Sequence, residues 1–178
     1  MRRLIVTEFM TLDGNIGEPS WSGPYWGDDI LQFKVAETED SDTILVGRRT
    51  YDIFAAAWPH ETEDELFGYM NSVEKVVVSK TLSDLHWQNS HLLEGELIPG
   101  INALKARDGK DIVVHGSGTL ARSLIKAGLV DSIHLVVFPL TVGEGPHLFE
   151  EGMANKYRLV EAKPFASGAV GLVYEPAE

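Results

Sequence analysis

The chain has 178 residues, 44% of them hydrophobic and 24% charged, with no cysteine and a formal net charge of -12. That length fits one domain with a substantial core, so 1–178 reads as a single domain. The acidic balance argues against nucleic acid and anionic membrane as partners, and without Cys there are no disulfides, thiol catalysis or cysteine metal sites.

From the N-terminus, Arg2 to Met10 reads as a first strand, apolar and β-branched at its start. Its apolar run Leu4-Ile5-Val6 is too short for a signal segment or a membrane span, so a cytoplasmic location is expected. The strand ends in T-L-D-G-N-I-G, where Asp13-Gly14 marks a turn. The loop 18–28 carries Trp21, Tyr25 and Trp26, aromatics that either pack on the nearest core or wall a ligand pocket. Asp29 to Glu39 has helical spacing, with Ile30, Phe33 and Lys34 or Ala36 along one side.

Thr43 to Val46 is a second strand that runs into Gly47-Arg48-Arg49-Thr50, with a helix from about Thr50 to Ala57. Arginine at a helix start opposes the helix dipole, a penalty that a bound anion reverses; both side chains in water is the alternative. The segment 58–65 reads as an acidic loop. Lys75 to Val78 is a third strand, ending at Ser79-Lys80-Thr81, and 85–96 alternates loosely as a further strand. Ile98 to Ala106 reads as a helix.

Asp111 to Leu129 then spells a β-branched strand, a break at Gly116, Ser117 and Gly118, and a helix from Thr119 with Leu120, Leu124 and Ile125 in register. Gly128 sits where a helix C-cap belongs. A strand–glycine–helix junction aims free backbone N–H groups at an anion, although a tight turn alone accounts for two glycines. Gly116, Gly118 and Ala121 match the dinucleotide fingerprint G-x-G-x-x-G/A, but the next strand, Ile133 to Phe138, ends without the acid that a ribose requires. An ordinary Rossmann domain is therefore disfavoured. Tyr157 to Lys163 and Val170 to Tyr174 close the chain as a hairpin.

Alternating strands and helices predict an α/β fold: a mostly parallel mixed sheet with helices on both faces and a C-terminal antiparallel hairpin. Three junctions, Gly47 to Thr50, Ser79 to Thr81 and Gly116 to Thr119, then share the carboxyl edge, where such sheets bind ligands. Three of them in an acidic chain point to a phosphate-bearing ligand. The six His residues (60, 86, 91, 115, 134 and 147) lack ligand spacing, so no metal site is expected.

These segments together resemble the dihydrofolate reductase superfamily, and in particular its branch related to the RibD C-terminal domain of riboflavin synthesis. The resemblance rests on T-L-D-G-N-I-G, I-L-V-G-R-R-T-Y-D, V-V-V-S-K-T-L, V-V-H-G-S-G-T-L-A-R-S-L and L-V-D-S-I-H-L-V-V-F-P-L-T-V-G-E-G-P-H-L-F, in that order along nearly the whole chain. It implies an NADPH-dependent reductase acting on a pterin- or pyrimidine-like heterocycle, and a homodimer. By the same resemblance Gly47, Arg48, Arg49 and Thr50 address the 2′-phosphate and pyrophosphate, flanked by Ser79 and Lys80. Gly116, Ser117, Gly118 and Thr119 form the pyrophosphate turn, and Ile16 and Gly17 cover the nicotinamide. Asp29 matches the pocket acid of folate reductases, with Phe33 as a ring wall and Asp13 and Trp26 as further substrate-side candidates. Capping explains Asp29 equally well. At the turn this chain has His115-Gly116 where folate reductases carry Gly-Gly joined by a cis peptide. A ribosylaminopyrimidine phosphate reductase and a non-catalytic nucleotide or flavin binder are the competing readings. The first of these usually travels with a zinc deaminase domain, which this chain lacks.

Overall fold

The structure, a computed structural model, describes residues 1–60 and 65–177. Its strands are β1 (Leu4–Thr11), β2 (Ser41–Gly47), β3 (Glu74–Val78), β4 (Ser90–Leu92), β5 (Asp111–His115), β6 (Ser132–Phe138), β7 (Tyr157–Pro164) and β8 (Val170–Pro176). They form one sheet in the order β4-β3-β2-β5-β1-β6-β8-β7. β1 to β6 run parallel, while β8 pairs antiparallel with β6 and β7 antiparallel with β8. The mixed α/β sheet with a C-terminal hairpin is therefore what the alternating pattern predicts.

Among the described residues five α-helices cover the sheet: α1 (Asp28–Glu39), α2 (Arg48–Ala57), α3 (Glu65–Ser72), α4 (Leu97–Ala106) and α5 (Gly118–Lys126). Side-chain alternation along the strands divides the core between two faces. Leu4, Val6, Leu45 and Val114 point to the side where Ile101 and Leu104 of α4 and Leu120, Leu124 and Ile125 of α5 pack. Ile44, Val46 and Val77 point the other way, against Tyr51 of α2 and Met70 of α3. Ile30 and Phe33 of α1 cover Val136 and Phe138 on that same side. Each of these aliphatic burials contributes about 1.5–3 kcal/mol, which fixes the helices to their faces. α5 ends as its sequence requires. Gly128 takes φ +66°, its N–H donates to the Ile125 carbonyl, and Leu129 N–H donates to Leu124, the paired bonds of a Schellman cap.

Several segments depart from the sequence pattern. The strand expected over 85–96 shrinks to β4, because Trp87 buries its ring in the α2–α3 core and its backbone N–H donates to Tyr51 Oη at 3.0 Å. Asn89 then reverses the chain with φ +59°. α3 was not legible in the sequence, α2 begins two residues early, and Pro19–Tyr25 winds into a 3-10 helix inside the expected loop. In the acidic loop expected over 58–65, Trp58–His60 is a 3-10 turn, and 61–64 lie outside the described residues.

Candidate functional site at the carboxyl edge

Two of the three junctions, those that carry glycine, meet directly. The Gly47 N–H donates to Ser117 Oγ at 3.0 Å, which ties the end of β2 to the turn after β5. Gly116 and Ser117 both adopt left-handed backbone, with φ +55° and +60°, and a methyl group on Gly116 would lie 3.6 Å from Thr50 Cγ2. α2 and α5 both begin here, with no side-chain cap and no acidic residue in either first turn. Their leading N–H groups and dipole ends thus face one small region, an arrangement that suits the two charges of a pyrophosphate. All described peptide bonds are trans, including the one between His115 and Gly116.

The third junction sits alongside. Arg48 Nη1 donates to Thr81 Oγ1 at 2.6 Å and its Nε is 3.6 Å from Asp52, with half of the side chain in water. Ser79 Oγ accepts from the N–H groups of Thr81 and Leu82, so it shapes the turn that holds Thr81 beside Arg48. Arg49 is exposed, and Lys80 is exposed beside Glu96 at 3.7 Å. Arg48 is therefore the cation best held at the junction.

The loop after β1 closes over the glycine turn. Asn15 N–H donates to Thr11 Oγ1, Gly17 N–H to Asn15 Oδ1 at 2.7 Å, and Ile16 N–H to the Pro146 carbonyl at 2.8 Å. Ile16 then lies so close to Gly118 that any side chain at 118 would collide with its Cδ1. Asp13 accepts from Thr11 Oγ1 at 2.5 Å and from the backbone of Gly143 and Val142, and these bonds, the Thr11 one first, hold its pKa below the usual carboxylate range. Asp13 is thus an ionised clasp between two loops.

On the α1 side lies a buried polar row that the sequence did not reveal. Thr7 of β1 stands opposite His115 of β5 on one flank and His134 of β6 on the other. Above the row, Lys34 Nζ donates to Thr7 Oγ1 at 2.6 Å and to Glu37 at 2.5 Å, and His134 Nδ1 meets Glu37 Oε1 at 3.0 Å. Burial alone would raise the Glu37 pKa; Lys34 and His134 reverse it and hold it at about 2. His115 is pushed down to about 3 by burial and by the Lys34 charge, so its imidazole is neutral.

Phe9 continues this face toward the edge, 5.6 Å from the half-exposed ring of Trp26 and 5.4 Å from Phe138. Phe33 is deeper, 7% exposed, edge-on to Phe165 and close against the Gly171 backbone. Asp29 uses both carboxylate oxygens on backbone: Oδ1 accepts from Ile30 N–H at 2.9 Å and Oδ2 from Ala166 N–H in the β7–β8 turn at 2.7 Å.

One acid stands apart. Pairing of β1 with β5 stops at Thr7 and His115, whereas pairing with β6 continues to Thr11 and Phe138. Glu8 is the first residue beyond that stop, level with Gly116, whose N–H donates to the Thr7 carbonyl. It is 5% exposed, and its Oε1 meets no hydrogen-bond partner among the described residues. Burial raises its pKa to about 8, against the opposing pull of Lys34 and Arg122.

The chain is 33% identical to the uncharacterized protein YyaP of Bacillus subtilis, over 97% of its own length and 94% of that protein. Its fold is similar to that of a Shewanella sp. PV-4 protein named for riboflavin biosynthesis, with a TM-score of 0.81 at 22% identity over 99% of both chains. It is also similar to a pyrimidine reductase-like protein of Corynebacterium diphtheriae, with a TM-score of 0.71 at 14% identity over 99% of this chain and 92% of the other. The RibD C-terminal domain family matches residues 2–170, and the chain, with its dihydrofolate reductase-like fold, belongs to that family.

Proposed function

We propose that this protein is an NADPH-dependent reductase of a pterin- or pyrimidine-like heterocycle. The observation that carries the reading is the Gly47–Ser117 hydrogen bond, which joins two uncapped helix N-termini at one edge with Arg48 beside them. Gly47, Thr50, Gly116, Ser117, Gly118 and Thr119 would hold the pyrophosphate, and Arg48 with Ser79 and Lys80 the 2′-phosphate. Gly116 takes left-handed backbone and carries no side chain between the turn and Thr50, which suits close approach of backbone to a phosphate. Bound NADPH supplies a hydride. The chain supplies the rest: Ile16 and Gly17 cover the ring against water, and Phe9 and Trp26 offer an aromatic wall to a flat substrate.

Family membership supports pyrimidine over folate as the substrate class, in line with the pyrimidine reductase-like name of one structural neighbour. A homodimer belongs to the same reading. It is supported by β7, an edge strand of the sheet, on which Leu159 and Val160 are each 49% exposed. No helix of the described residues is long and apolar enough to cross a membrane, in keeping with an enzyme of the cytoplasm. Fluorescence titration with NADPH, followed by NADPH oxidation against a panel of pterins, pyrimidines and flavins, tests the proposal. Turnover of a pyrimidine is the expected result; tight NADPH binding without turnover of any acceptor would favour a binding protein.

A further inference from the structure

A reduction that adds hydride to a C=N bond also needs a proton, and the acids around this edge differ in whether they can carry one. Asp13 is ionised and clasped by Thr11, Val142 and Gly143. Asp29 has both oxygens on backbone N–H groups. Glu37 is ionised between Lys34 and His134. Glu8 is different: buried, with an oxygen that meets no partner among the described residues, where β1 outruns β5 beside the Gly116 turn.

The charges that act on Glu8 come from two elements, Lys34 of α1 and Arg122 of α5. Both are matched elsewhere, Lys34 by Glu37 at 2.5 Å and Arg122 by Glu150 at 2.9 Å. His115 and His134 flank the adjacent Thr7 position on the opposite face of the sheet. Among the described residues no cation is therefore left over to hold Glu8 as a carboxylate, and its neutral form is the resting one near neutral pH.

On the reductase reading above, we propose that Glu8 is the proton-bearing acid of this site, neutral while the cofactor ring is reduced and ionised once the ring carries its positive charge. Hydride transfer to the carbon of the substrate C=N bond oxidises the dihydronicotinamide, reduces the substrate and leaves an electron pair on nitrogen. Glu8 and the Phe9 wall lie on opposite faces of β1. That nitrogen therefore gains its N–H bond from a water at the unpaired edge of the strand, and the Glu8 O–H bond breaks as its proton replaces the one the water gave up. The carboxylate then offsets the ring's new positive charge, so the buried site keeps the same net charge through the reaction. Matching of this kind matters most where water is scarce. Water returns the proton when the oxidised cofactor leaves.

The test needs no substrate. Dissociation constants of NADP+ and NADPH are measured between about pH 6 and about pH 9 on wild type and Glu8→Gln. The two cofactors share every phosphate, so their ratio isolates the ring. In wild type the ratio should move about tenfold in favour of NADP+ across that range, because the cationic ring lowers the Glu8 pKa. In Glu8→Gln, which keeps the shape of the neutral acid, it should be flat. Carbon NMR of labelled glutamate carboxyls in the wild-type protein gives a second reading that does not depend on a variant. One carboxyl should titrate in the alkaline range with NADPH bound and at lower pH with NADP+. A flat wild-type ratio with no such carboxyl, or the same slope in Glu8→Gln, overturns the role of Glu8 and leaves the reductase reading standing. Wild-type protein that binds neither cofactor overturns that reading and this role with it.

Discussion

Lys34 and Glu37, one helical turn apart on α1, form an ion pair at 2.5 Å with only 6% of either side chain exposed. Thr7 and His134 supply further hydrogen bonds to it from the sheet below. A buried pair adds little net stability compared with an apolar pair, but removing one partner strands the other. Lys34→Met should therefore cost about 3–5 kcal/mol and lower the melting temperature by roughly 10 °C. The acid limb should change as well. In wild type the Glu37 pKa is depressed to about 2, so its contribution is present above its ordinary 4.5 and is lost as pH falls toward 2. Loss of Lys34 removes much of that depression, and thermal melts as a function of pH should show a shallower acid limb.

Glu8 predicts the opposite slope. Its folded pKa, about 8, lies above the ordinary 4.5, so between these values the folded state holds a proton that the unfolded state has released. Stability from this group is full below 4.5 and is lost as pH rises through about 8, by about 1.4 kcal/mol per pH unit where the slope is steepest. Melts of Glu8→Gln should lack this decline between about pH 4.5 and about 8, so the variant should gain on wild type as pH rises through that range. Parallel curves for the two proteins would rule the buried acid out.

Arg48 carries the cofactor preference. Charge-assisted hydrogen bonds to phosphate contribute about 1.5–3 kcal/mol, so Arg48→Ala should weaken NADPH roughly ten- to a hundredfold and leave NADH nearly unchanged. Fluorescence titration of both cofactors checks this. Equal losses for both would move the 2′-phosphate away from Arg48.

Asp29 offers a clean separation of two roles. As a tether it holds the Ala166 N–H of the β7–β8 turn, and Asn can present only one carbonyl oxygen to replace two acceptors. Asp29→Asn should then lower the melting temperature by a few degrees, about 1–2 kcal/mol, while kcat/KM on any accepted substrate stays within about twofold. A fall of about a hundredfold in kcat/KM with an unchanged melt would assign Asp29 to the pocket instead.

Of this protein, the sequence alone determined what rests on neighbours in the chain. Gly116, Ser117 and Gly118 break a β-branched run, and Leu120, Leu124 and Ile125 follow at helical spacing to a glycine cap at Gly128; each of these is a local preference that short-range patterns express. The alternation of strands and helices likewise implied the parallel sheet, because parallel strands need crossovers. Tertiary structure decided what depends on register between distant segments. Thr7, His115 and His134 stand abreast only because β5 and β6 flank β1, and only then do Lys34 and Glu37 meet polar partners beneath α1. Nothing in V-T-E-F marks Glu8 as buried: an acid in a strand normally faces water, and its burial follows from α5 and the loop 140–150 closing over that face. Trp87 is the converse case. Its segment alternates like a strand, but the ring fits the α2–α3 core, and burying so large a surface outweighed the ladder hydrogen bonds that a longer β4 would have made.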